Sequence, residues 1–128
     1  MSRSRYSFVW IAVLILASMA PFAASQATLK QYIYVLHPAE RLQQGGAWTD
    51  SDNAAVSAHF ARLQEATVSG KVILVGKTDE PDATTFGIVI FEAADAAEAQ
   101  EFMDTDPAVV AGVMTAELHP YTVALLRK

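Results

Sequence analysis

The strongest constraint on this chain is the order in which its apolar patterns change period. Residues 31–37 (QYIYVLH) alternate and are rich in aromatic and β-branched side chains, as a half-buried strand is. Residues 53–69 then place Val56, Phe60, Leu63 and Thr67 at helical spacing, and Gly70 stops the run. Residues 71–75 (KVILV) are too few for a helix and read as a buried strand. A polar turn over 76–84 leads to a third strand at 85–92 (TFGIVIFE). Residues 95–104 form a second helix, with Asp95 and Glu98 as a capping-box-like pair and Ala99, Phe102 and Met103 on one apolar face. Asp106-Pro107 opens a short turn, and 115–126 read as a long extended segment in which Pro120 argues for an edge or a bulge. Strand, helix, strand, strand, helix, strand is the ferredoxin-like βαββαβ order, an α+β fold. It predicts an antiparallel sheet with both helices on one face.

Two consequences follow from that layout. The stretch AERLQQGGAWTD after Pro38 contains Gly45-Gly46 and reads as a loop, with or without a short helical turn at its start. Asp50, Ser51 and Asp52 are each credible caps for the first helix. The sheet face away from the helices also needs a cover. Tyr32, Tyr34, Ile88 and Ile90, or their alternate neighbours, would otherwise stand in water. A second copy packed sheet to sheet supplies that cover, so a homodimer is expected.

The first 27 residues stand apart from this domain, which spans 28–128. Arg3 and Arg5 precede an uncharged apolar run, VWIAVLILASMA, followed by Pro21 and the small residues Ser25 and Ala27. That is the order of a secretory signal peptide, with cleavage after Ala27, and it implies a secreted or periplasmic protein. The apolar run is shorter than the ~20 residues a spanning helix needs; an uncleaved anchor is the rival reading. All 14 acidic residues lie beyond the leader, against seven of the nine basic ones, leaving a charge of −7 on the domain. No basic cluster is present, so nucleic acid is not an expected partner, and neither is a membrane once the leader is gone. The chain has no cysteine. Thiol nucleophiles, thiol redox chemistry and cysteine-type zinc are excluded.

The residues that suit chemistry are few. His59 lies between Val56 and Leu63 and borders the buried stripe of the first helix. It reads either as a satisfied, partly buried histidine or as a general acid or base. Asp106 reads either as a turn-opening aspartate before Pro107 or as a carboxylate that orients an imidazole. Arg41, just after the first strand, is a candidate for holding an anionic substrate, against plain surface solvation. Gly76 and Lys77 are candidates for lining a pocket through backbone donors, although a tight strand exit explains the glycine equally well. Trp48 lids a pocket or covers the core. His37, His59 and His119 lack metal-ligand spacing, so no metal is expected. Phosphate loops, serine-nucleophile motifs and dinucleotide fingerprints are absent from the sequence, and no cofactor is expected.

Taken together, YIYVL, AHFARLQEATVSG with its histidine, KVILVG, TFGIVIFEA, FMDTDPAVVAGV and the closing HPYTVAL resemble the YCII-related family over almost the whole domain. These are small dimeric proteins of the α+β barrel superfamily. The resemblance implies a His–Asp pair in a pocket near the dimer interface, here His59 and Asp106, acting on a small-molecule ligand. A dehydrochlorinase of a chlorinated hydroxyquinol is one family activity, and lactone isomerases occur among related barrels. Lys77 departs from the proline common in the family. One reading is a cofactor-free lyase or isomerase in which Asp106 sets the tautomer of His59. A non-catalytic ligand-binding dimer and a purely structural dimer are the others.

Overall fold

The computed structural model describes residues 27–43 and 46–128. Its elements are β1 (Lys30–Pro38), α1 (Glu40–Gln43), α2 (Asp50–Val68), β2 (Val72–Lys77), β3 (Gly87–Ala93), α3 (Ala96–Asp104), α4 (Pro107–Val110) and β4 (Met114–Pro120). The four strands form one antiparallel sheet in the order β2-β3-β1-β4. This is the α+β, ferredoxin-like βαββαβ arrangement that the order of patterns predicts. The expected leader falls, except for Ala27, outside the described residues. No helix among the described residues is long and apolar enough to cross a membrane.

Strand alternation divides the sheet into two unlike faces. Tyr32, Tyr34 and Leu36 of β1 and Val89, Phe91 and Ala93 of β3 are buried and pack with Leu63, Ala66, Ala99 and Met103 of the helices. The Phe91 ring meets Tyr34 edge-on at 5.7 Å between centroids and lies 4.8 Å from Phe102. The opposite face carries Ile33, Val35, Ile88, Ile90 and Leu74, bordered by Thr115, Glu117 and His119 on β4. Tyr32 and Tyr34 thus belong to the helix-covered side, and their alternate neighbours Ile33 and Val35 to the open one. Among the apolar five, Leu74 is the most exposed, at 41%.

One irregularity shifts the phase of β2. Val72 pairs with Phe91, but Leu74 pairs with Ile90, so Ile73 is an extra residue. Val75, opposite Val89, and Lys77, opposite Gly87, are thereby placed on the helix-facing side.

Several boundaries differ from the sequence reading. The cap of α2 is Thr49, whose side chain accepts from the Asp52 amide, while Asp52 at N3 returns the bond to the Thr49 amide. This is a complete capping box, one residue before the acidic run expected to supply the cap. At α3, Asp95 caps as expected, but Glu98 reaches back to the Ala94 amide rather than to Asp95's own. The final strand stops at Pro120, which has no amide hydrogen to extend the ladder. Residues 121–128 continue without regular structure, tied by the Tyr121 and Val123 amides to Gln31.

The buried stripe of α2 is also rotated. It runs through Asp52, His59, Leu63 and Ala66, and Phe60 is 63% exposed. The two polar members of the stripe hide its phase in the sequence. Leu63→Ala is therefore expected to lower the unfolding free energy by about 2–5 kcal/mol, whereas Phe60→Ala should change it by no more than about 0.5 kcal/mol. Urea denaturation of the two variants checks this; equal losses would contradict the rotated stripe.

Candidate functional site

Asp106 is the organising group. It caps α4 with Pro107 at the first helical position, so the chain turns sharply after α3 and aims the carboxylate inward. The residue is completely buried. A buried carboxylate must have its lone pairs met, and three separate elements meet them. The Ala108 amide donates to Oδ1 at 2.9 Å. The Tyr34 hydroxyl, from the middle of β1, donates to Oδ2 at 2.9 Å. His59 of α2 places Nδ1 at 2.7 Å from Oδ1 and 2.8 Å from Oδ2.

Electrostatics fix the protonation of this cluster. Burial by itself would push the Asp106 carboxyl up. The bond and charge of His59 hold it below the usual carboxylate range instead, helped by the Ala108 amide and the Tyr34 hydroxyl. Burial, reinforced by the neighbouring Asp106 charge, pushes Tyr34 far above the ordinary range of a phenol, so its hydroxyl remains a donor. An ionised carboxylate only accepts, so Nδ1 of His59 is the protonated nitrogen. In the neutral ring Nε2 then carries the free lone pair, and it has no hydrogen-bond partner among the described residues.

His59 is 8% exposed, and that remnant opens into a cavity of about 760 Å³. Leu36, Val56, Phe60, Val75, Phe86 and Met114 make its walls mostly apolar. Gly76 and Lys77 also line it, as does Gly87. A side chain at position 87 would start 3.7 Å from the Leu36 Cβ, so this glycine leaves room in the cavity. The volume and apolar lining suit a small organic ligand.

Of the residues singled out from the sequence, His59, Asp106, Gly76 and Lys77 thus gather at one place. Arg41 does not join them. Its Nη1 and Nη2 pair with Oδ2 and Oδ1 of Asp52 at 3.0 and 2.6 Å, and it is not among the cavity's lining residues. Arg41 and the capping box hold the Asp52 carboxyl well below the usual range. The pair fastens α1 to the start of α2. Trp48 is exposed and is also outside the cavity lining. His37 and His119 lie on the open face of the sheet, away from His59, and no metal-binding cluster occurs among the described residues. Sequence reasoning misses Tyr34. A tyrosine at a helix-facing strand position must find a buried partner for its hydroxyl, and that is the signal that could have found it.

The chain matches the YCII-related domain profile over residues 18–119. Among solved structures it is similar to 5-chloro-2-hydroxyhydroquinone dehydrochlorinase from Burkholderia phenoliruptrix AC1100, in complex with 2,5-dihydroxybenzoquinone. That pair shares 18% identity over 71% of this chain and 93% of the other, with a TM-score of 0.44. It is also similar to a protein of unknown function from Nitrosomonas europaea, at 18% identity over 80% and 99% of the two chains and a TM-score of 0.41. No curated protein matches it.

The depressed Asp106 carboxyl has a pH signature. Between its folded and unfolded values the unfolded chain binds more protons, so stability rises with pH there. The contribution is fully present above the unfolded value, ~4, and is lost as pH falls through the folded one. The gap in unfolding free energy between wild type and Asp106→Asn should therefore be wider at pH 5 than at pH 3. A gap of the same size at both would contradict this account.

Proposed function

This chain belongs to the YCII-related domain family, and we propose that it is a cofactor-independent lyase or isomerase acting on a small, largely apolar molecule. The observation that carries this reading is a single imidazole with two unlike nitrogens. One is locked onto a buried, ionised carboxylate, and the other stands free at an apolar cavity.

That arrangement suits proton transfer from carbon. The lone pair of Nε2 takes a proton from the bound molecule, and the imidazolium that forms is stabilised by Asp106 through Nδ1–H. The electron pair left behind becomes a double bond. In an elimination it expels a leaving group as an anion; in an isomerisation the proton returns from Nε2 to a different carbon. Tyr34 and the Ala108 amide keep Asp106 from turning, so the imidazole need not be reoriented during the reaction. The apolar walls strengthen each of these electrostatic interactions by keeping water away.

Solvent-deuterium exchange tests this on simple carbon acids. Cyclohexanone, cyclohex-3-enone and α-angelica lactone would be incubated with the protein in D2O and followed by proton NMR. Exchange or double-bond migration above the buffer rate is expected for at least one probe, falling by about 10²–10⁴-fold in His59→Ala. Binding of these probes in the cavity with no exchange in either protein would favour the non-catalytic ligand-binding reading.

We also propose that the domain is exported and pairs with a second copy through the open face of the sheet. Support comes from the leader-like order of residues 1–27 and from the uncovered row Ile33, Val35, Ile88 and Leu74. Expressed from its own N-terminus, the protein should be recovered from the periplasm with the intact mass of residues 28–128 and sediment as a dimer. Val35→Glu should give monomers. Retention of the full-length mass would count against export, and a monomeric wild type against the pairing.

A further inference from the structure

Apart from His59, the cavity holds one other side chain able to carry charge. Lys77 is the sole lysine, arginine, aspartate or glutamate among the described lining residues. The extra residue in β2 turns it to the helix-facing side, opposite Gly87. Since Gly87 has no side chain, the space across the strand pair from Lys77 is left open. The ammonium is weakly engaged: its Nζ donates to the Thr78 carbonyl at 3.2 Å and lies 3.4 Å from Oδ1 of Asp79, both in water. The lysine side chain is 73% exposed and that of Asp79 fully so.

The loop that follows is acidic, with Asp79, Glu80 and Asp82. Two of these are already engaged locally. Glu80 is held below the usual carboxylate range by Thr78, and Asp82 by the hydroxyl and amide of Thr84. Asp79 alone contacts Lys77, at the long distance given above. Lys77 lines the cavity, and an ammonium held this loosely keeps most of its capacity to donate. Proton abstraction by His59 would also leave negative charge on the bound molecule; the imidazolium formed is already paired with Asp106, and Lys77 is the one other cation among the described lining residues.

Building on the proton-transfer reading of this cavity, we infer that Lys77 makes the site selective for molecules with an apolar body and an anionic or charge-accumulating oxygen at one end. Carboxylates, phenolates and conjugated enolates belong to this class. The apolar body lies against Phe60, Val75 and Phe86, and the oxygen meets Nζ. Lys77 is a specificity residue for the ground state and an electrostatic partner for the charge that develops.

Two fluorescent probes with a common body test this. 1-Anilinonaphthalene-8-sulfonate carries an anionic group, and N-phenyl-1-naphthylamine lacks it. Binding to the purified protein would be titrated by fluorescence, and the site located from backbone amide shifts in two-dimensional NMR. Shifts are expected at Val56, Gly76, Phe86 and Gly87. Lys77→Met should weaken the sulfonate about tenfold and leave the neutral probe unchanged. Lys77→Arg should restore the sulfonate, Lys77→Glu should weaken it further, and added salt should weaken it in wild type and Lys77→Arg but not in Lys77→Met. His59→Ala should retain the discrimination between probes. Equal effects of Lys77→Met on both probes would overturn the role of the lysine and leave the proton-transfer reading standing. Shifts confined to the open face, at Thr115–His119, or no binding of either probe, would overturn both.

Discussion

A buried carboxylate with no solvent of its own must be held by the protein, and here three elements do so at once. Asp106 takes a backbone amide from α4, a phenol from β1 and an imidazole from α2. Removing one partner would leave a charge in a low-dielectric interior without full compensation, so the three elements are coupled through it. The sheet fixes Tyr34, since its ring is wedged against Phe91 and Phe102. Position and protonation of His59 then follow from the carboxylate. The geometry around His59 is thus a by-product of satisfying one buried charge.

Burial works in two directions around this cluster. It makes ionised Asp106 costly, yet it also raises the strength of every bond that repays the cost. The imidazole faces both regimes: Nδ1 lies in the dry interior and the other nitrogen at a cavity. The buried carboxylate on one side and the cavity on the other give the histidine a defined tautomer. A cavity wall of Leu36, Val56, Val75 and Met114 continues the low-dielectric surroundings out to where a ligand would sit.

Much of the architecture is legible in the sequence because each element has a local cause. The β-branched and aromatic run of β1, the short VILV run of β2 and the Asp95 cap of α3 each specify their own conformation. The failures are tertiary. The phase of α2 is easily misread because its inward stripe carries Asp52 and His59, while apolar Phe60 points toward the cavity rim. Arg41 resembles a free cation because its partner lies eleven residues away, across a loop whose path the sequence does not encode locally. Tyr34 reads as generic strand filling, since nothing near it in the sequence names the acceptor 72 residues on. The pairing of His59 with Asp106 comes from resemblance; spacing alone leaves both as ordinary cap and core residues.

The extra residue in β2 has an effect out of proportion to its size. Past Ile73, inside and outside are exchanged relative to an unbroken ladder, which gives the cavity Val75 and Lys77. Were the register of Val72 and Phe91 continued without the slip, Gly76 would stand opposite Gly87 where the lysine now does, and Lys77 would turn toward the bare side of the sheet. The placing of Lys77 is therefore encoded by register as much as by residue identity. Relatives that lack the slip would present a different mouth even with the same amino acids in the same order.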